Sequence, residues 1–194
     1  ARAPSNPDIM YAMVEATENA GVYRSENRGA SWTKVNSFST AGNYYQELYV
    51  DPKNPDRVFF MDTYLKISHD GGKTIVNAGE RSKHVDNHAI WIDPDDTRHV
   101  LVGCDGGLYE SWDRCATWDF KQNLPLTQFY RASVDNAKPF YNIYGGTQDN
   151  NTLGGPSRTL NANGIVNSDW FVTVGGDGFK SQVDPNDPNS VYSH

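Results

Sequence analysis

Four short polar segments carry the residues of this chain that are able to do chemistry. They are His84-Val85-Asp86-Asn87-His88, Cys104-Asp105-Gly106-Gly107, Thr147-Gln148-Asp149-Asn150-Asn151 and Gly175-Gly176-Asp177-Gly178. Alternate side chains of an extended segment share a side, so His84, Asp86 and His88 can converge on one metal ion or one anionic group. Two imidazoles and a carboxylate suit zinc, whereas Asp105, Gln148, Asp149 and Asn150 offer oxygen donors and suit calcium. Asp105, Asp149 and Asp177 are candidate catalytic carboxylates, with Asp86 as a fourth, because glycosidic hydrolysis takes two carboxyl groups about 5–10 Å apart. A plainer role is open to the same side chains. Asp86 and His88 can fix their own loop by hydrogen bonds, and glycine-flanked aspartates are common in tight turns.

The background composition narrows what must position these segments. The 194 residues are 37% hydrophobic and 12% aromatic, with 17 Gly and 10 Pro. That mix suits many short strands joined by tight turns. A formal charge of −7 leaves no basic stripe for nucleic acid or an anionic membrane, and no apolar run approaches the roughly 20 residues of a membrane-inserted helix. Two cysteines, Cys104 and Cys115, are too few for a disulfide scaffold. They are expected at opposite ends of one strand, as free and mostly buried thiols.

A repeat of fixed period supplies the architecture. The octets SENRGASW, SHDGGKTI and SWDRCATW start at Ser25, Ser68 and Ser111, a period of 43. All fit Ser-x-Asp-x-Gly-x-Thr-Trp, with Asn27 for Asp, Ser31 for Thr, Ile75 for Trp and Cys115 for Gly as single departures. A second phrase keeps the same phase in YVDPKNPDRVFF, WIDPDDTRHVLV and QVDPNDPNSVYS, with SVDNAKPFYNIY as a degenerate copy. Each period parses into four strands, A to D. Apolar runs such as Val58-Phe59-Phe60-Met61 predict sheets covered on both faces, and a period near 43 falls in the propeller range. The expected fold is all-β, a β-propeller of four-stranded antiparallel blades. The blades run at about 1–43, 44–86, 87–129 and 130–178, with the start of another at 179–194. The first repeat is expected to lack strand A.

The octets resemble the Asp box, or bacterial neuraminidase (BNR) repeat, of sialidases, xyloglucanases and sortilin-type receptors. The order HVDNHAIWIDP, GGTQDNN, GPS, GGDGF and VDPNDP, over residues 84–192, is similar to bacterial sortilin-like, glycosyl-hydrolase-like BNR-repeat proteins. This resemblance implies a propeller, commonly of more than four blades and often secreted, without a settled activity. The location it implies is secreted, periplasmic or cell-surface. The box itself reads as a folding device. Asp70, Asp113 and Asn27 accept turn amides; Gly29 and Gly72 supply positive φ; Trp32 and Trp118 pack between hairpins; and Ser25, Ser68 and Ser111 open each turn. With Cys115 in place of glycine, the third turn is expected to be less regular.

In a propeller the D–A and B–C connections emerge on the channel-mouth face, and all four polar segments fall on them. Tyr44, Tyr45, Gln46, Gln128, Tyr130 and Arg131 are expected there too, with Tyr64 and Phe129 as further aromatic platforms, whereas His69 and His99 belong to the surface elsewhere. A sialidase needs an arginine cluster to clamp a carboxylate, and Arg131 alone stands near the mouth. The remaining alternatives are a module binding a glycan, peptide or protein through His84, Asp86, His88, Asp105, Gln148, Asp149, Asn150 and Asp177, a xyloglucanase-like hydrolase using paired aspartates, and a purely structural domain of a larger secreted protein. Fold alone does not choose between them. An open half-ring exposes sheet edges, so further blades from the same or another chain are the expected partners.

Overall fold

The computed structural model describes every residue except Ala41, Asn43, Tyr44, Gln46, Asn123, Pro125 and Leu126. The expected positions of Tyr44 and Gln46 therefore lie outside the described residues. The chain forms two compact units, Ala1–Asn123 and Leu124–His194. In the first unit, β1 (Met10–Val14), β2 (Gly21–Ser25) and β3 (Thr33–Asn36) make one antiparallel sheet. A second contains β4 (Leu48–Val50), β5 (Val58–Phe60), β6 (Lys66–Ser68) and β7 (Val76–Asn77). A third contains β8 (Asn87–Ile92), β9 (Val100–Cys104), β10 (Gly107–Ser111) and β11 (Asp119–Phe120). The second unit holds the four-stranded sheet β12 (Arg131–Val134), β13 (Asn142–Gly146), β14 (Thr152–Pro156) and β15 (Phe171–Val174), and the hairpin β16 (Ser181–Asp184) with β17 (Asp187–Ser193). Each sheet is a meander in chain order, the pattern of propeller blades.

Strand periodicity explains the apolar runs. On β5, Val58 and Phe60 enter the core shared with the first sheet, beside Tyr11 and Val22. Phe59 between them and Met61 just beyond enter the core shared with the third sheet, beside Ile90, Val102 and Trp118. Successive side chains point to opposite faces, so a sheet with a neighbour on each side needs apolar residues at consecutive positions. Each side chain so buried contributes about 1.5–3 kcal/mol.

The first sheet has three strands where the second and third have four, as expected of a repeat without strand A. An isolated bridge joins Arg2 to Met10, and the Ala3 amide donates to the Ile9 carbonyl at 3.0 Å.

Both repeated phrases are hydrogen-bonded turns. In the Asp-Pro phrase, the buried Asp51 accepts from the Lys53 and Asn54 amides at 2.8 and 3.1 Å and from Arg57 at 2.7 Å. Asp135, in the degenerate copy, accepts from the Ala137 and Asn142 amides. In the octets, one network occurs three times. The buried serine hydroxyl donates to the third residue, at 3.0 Å for Asn27 and 2.9 Å for Asp70 and Asp113. The serine oxygen then accepts the amide of Gly29, Gly72 or Cys115. Asp70 and Asp113 also take the amide and hydroxyl of Thr74 and Thr117. Asn27 accepts the Ser31 amide and reverses the last bond, donating to the Ser31 hydroxyl at 2.9 Å.

The third turn is as regular as the others. Cys115 adopts φ 70°, beside 84° at Gly29 and 85° at Gly72. A non-glycine residue is strained in this region, and the full hydrogen-bond set of Ser111 and Asp113 holds it there. Both thiols are free, and burial pushes the Cys115 thiol up to about 12. The tryptophans of the motif diverge. Trp118 is buried, and its indole donates to the Gly79 carbonyl at 2.6 Å. Trp32, in the first sheet, is 41% exposed and so is less enclosed than the motif predicts.

The turn carboxylates give a pH prediction. The Thr74 amide holds Asp70 below the usual carboxylate range, and the Thr117 hydroxyl does the same for Asp113. A depressed folded value means that the stabilisation is fully present above the unfolded value near 4 and is lost as pH falls through the folded one. Acid titration followed by far-UV circular dichroism should show loss of structure below about pH 4, and a D70N/D113N variant should flatten that dependence. Asn27 already shows that an amide can serve in this position.

Candidate functional site

The link between β7 and β8 carries His84 and Asp86 and leads into His88, the second residue of β8, and a buried ion pair anchors it. The Lys83 ammonium, with no side-chain exposure, bonds Glu80 at 2.8 Å and the His84 carbonyl at 2.8 Å, and contacts the Asn87 side chain. It also lies 5.7 and 5.5 Å from the rings of Tyr109 and Trp118. Asn87, also buried, donates to the Asp62 and Thr63 carbonyls and to Glu80. Glu80 further accepts the Leu65 amide at 2.9 Å. The link is thereby tied to the preceding β5–β6 loop. Lysines are rarely buried unless paired, and nothing in the spacing of Glu80 and Lys83 distinguishes them from a solvated loop pair, so sequence reasoning missed both.

On this anchor the site takes shape. The Asp86 amide donates to Thr63 at 2.8 Å, and its carbonyl accepts the Asp105 amide at 3.2 Å, joining loops of two adjacent sheets. Asp86 sits at φ 62°. That left-handed residue breaks the extended run, so the alternation expected of His84, Asp86 and His88 does not hold. Among the described residues, the ligand atoms of these three do not gather within 4.8 Å of one another. His84 turns to the Val85 carbonyl at 3.0 Å and packs on Gly106, where a Cβ would fall 2.4 Å from its own.

Asp86, His88 and Asp105 do come together. His88 bonds Asp105 at 2.8 Å and stacks on Tyr45 at 5.5 Å, while the Tyr45 hydroxyl donates to Asp86 at 2.7 Å. Burial, then the bond to Asp86, pushes the Tyr45 phenol up to about 12, so it remains a donor. Carboxylate oxygens of Asp86 and Asp105 lie within 4.8 Å of each other.

The second unit builds a similar edge from different residues. The β13–β14 loop and the link after β15 are joined by the Asn151 amide to the Gly176 carbonyl, 2.8 Å, and the Gly178 amide to the Thr147 carbonyl, 2.9 Å. Asp177 accepts the Asp149 amide at 3.0 Å. Tyr130 donates to the Gln148 side chain at 2.6 Å, and Asn150 donates to the Gln148 carbonyl at 2.9 Å. Gly146 permits the approach, since a Cβ there would fall 2.2 Å from the Phe179 nitrogen. Arg131 lies over the Phe179 ring at 5.7 Å. Asp149 and Asp177 are exposed, Asp86 and Asp105 half-buried.

Two histidines lie elsewhere. His69 is exposed, as expected, and accepts from Arg57. His99, expected at the surface, is instead largely enclosed between Asp93 and Glu110, at 3.3 and 2.8 Å.

These sheets and connections define a β-propeller architecture. No family model and no curated protein sequence matches the chain. Among solved structures it is similar to a GH74 xyloglucanase from Xanthomonas campestris, at 19% identity and a TM-score of 0.52 over 97% of this chain and 33% of that one. It is also similar to a GH74 enzyme from Niastella koreensis, at 16% identity and a TM-score of 0.51 over 99% of this chain and 32% of the other. The chain therefore spans about a third of the length of these enzymes. The likeness extends to the fold. No helix is long and apolar enough to cross a membrane among the described residues.

Proposed function

We propose that this chain is a sortilin-like Asp-box (BNR-repeat) propeller segment, acting outside the cytoplasm, that binds a glycan, peptide or protein through the loops carrying Asp86, His88 and Asp105. The threefold octet network and the motif order over residues 84–192 support the repeat assignment. One observation carries the binding reading. The polar side chains at this edge are hydrogen-bonded to one another, Tyr45 to Asp86 and His88 to Asp105, while remaining partly open to solvent. Such a pre-ordered rim recognises a ligand at low entropic cost. In the second unit, Gln148, Asp149, Asn150 and Asp177 offer the same kind of surface.

The second reading is a xyloglucanase-like glycoside hydrolase. The approach of the Asp86 and Asp105 oxygens favours it, being near the roughly 5 Å spacing of a retaining pair. Glycan-array and peptide-capture screens, run beside a panel of β-glucan and xyloglucan hydrolysis assays, separate the two. The expected outcome is a ligand whose affinity falls at least about tenfold in both His88→Ala and Asp105→Ala, with no hydrolysis. Turnover abolished by Asp86→Asn and Asp105→Asn would establish the hydrolase instead.

A further inference from the structure

The third sheet presents a second surface, on its outer C–D hairpin. Trp112 is 57% exposed, although a ring of that size usually finds cover. It is nonetheless rigidly held. The His99 imidazole stacks on it at 3.7 Å between centroids and 1° between planes. His99 is fixed in turn by Asp93 and Glu110 and by the edge of Trp91 at 5.4 Å. Trp112 occupies the same octet position as His69. His69 is exposed even though its sheet packs against the next one through a shared core. Exposure thus belongs to this position on the hairpin and does not depend on a missing neighbour.

From this arrangement we propose that Trp112 is a platform for the apolar C–H face of a sugar ring in a neutral glycan. The carboxylates that hold its stacking partner are already paired. Glu110 is paired with Lys121 as well as His99, and Asp93 with His99. Neither carboxylate is left to select a cationic ligand, and what remains is a flat, immobilised aromatic face. Ordering such a ring beforehand removes the rotamer entropy that binding would otherwise cost. The site is separate from the edge carrying His88 and Asp105, so the two assignments stand or fall independently.

Affinity electrophoresis of the whole chain through gels containing soluble xyloglucan or mixed-linkage β-glucan tests the proposal, with tryptophan fluorescence titration by the matching oligosaccharides. Trp112→Ala should weaken binding about tenfold without changing the melting temperature. Trp112→Phe should retain most of it, and His69→Ala, at the same octet position on the second sheet, should leave it intact. The proposal is overturned if the parent chain ignores these neutral glycans, if Trp112→Ala is retarded like the parent, or if a polylysine peptide binds at Trp112 in their place.

Discussion

Replacing Lys83 with methionine should destabilise the Ala1–Asn123 unit by about 3–5 kcal/mol, measured as a shift of the urea midpoint followed by tryptophan fluorescence. The methylene stem is roughly conserved, so the loss comes from charge. Glu80, 5% exposed at its side chain, is left buried without its cation. The His84 carbonyl and the Asn87 side chain lose a donor at the same moment. An unpaired buried charge is far more costly than the pair is stabilising, and this asymmetry yields a second expected result. Adding Glu80→Gln to Lys83→Met should restore most of the stability, because no orphaned charge remains and the glutamine can still accept the Leu65 amide. An unchanged midpoint in the single variant would mean that the ammonium is hydrated and that the link is held by its backbone bonds alone.

The second large effect is expected at Trp118. Its conversion to alanine should cost about 3–5 kcal/mol, while Trp32→Ala, at the same place in the motif, should cost less than about 1 kcal/mol. The Trp118 ring fills the core between the second and third sheets, roofs the Lys83 ammonium and bonds the Gly79 carbonyl. The Gly79 amide returns a bond to the Cys115 carbonyl at 3.0 Å, so the third octet is clamped to the link that begins the site. Trp32 is 41% exposed where Trp118 is 7% exposed, so less contact is lost with its ring. Thermal melts of the two variants, side by side, would separate the local role of the motif from its role between blades. Equal losses would show that the octet tryptophan acts within its own hairpin. Because Trp118 also contacts Lys83, its substitution and Lys83→Met should be non-additive.

The sequence by itself determined the repeat, the strands and the turns. Those features depend on local rules, namely side chains alternating along a strand, an aspartate reaching amides two to four residues on, and a positive φ at a fixed place in a turn. A 43-residue phase then assigned each polar segment to a connection between strands, and the loops bearing Asp86, Asp105, Asp149 and Asp177 are found there. Even the departures from the motif were legible as chemistry, with Asn27 keeping the bonds of an aspartate by turning one of them around.

Tertiary structure decided which of those residues meet. His84, Asp86 and His88 look like one ligand set only while the segment is extended. The bonds from Asp86 to Thr63 and Asp105 hold it at a left-handed φ, and those partners are supplied by two other loops. His88 consequently pairs with Asp105 instead of His84. Lys83 and Glu80 carry no pattern that marks them as buried, since burial is a property of what packs around a residue and not of its neighbours in sequence. The metal-like spacing of these histidines does not bring them together, and the group that forms is His88, Asp105, Asp86 and Tyr45. Its position depends on an ammonium enclosed between two aromatic rings.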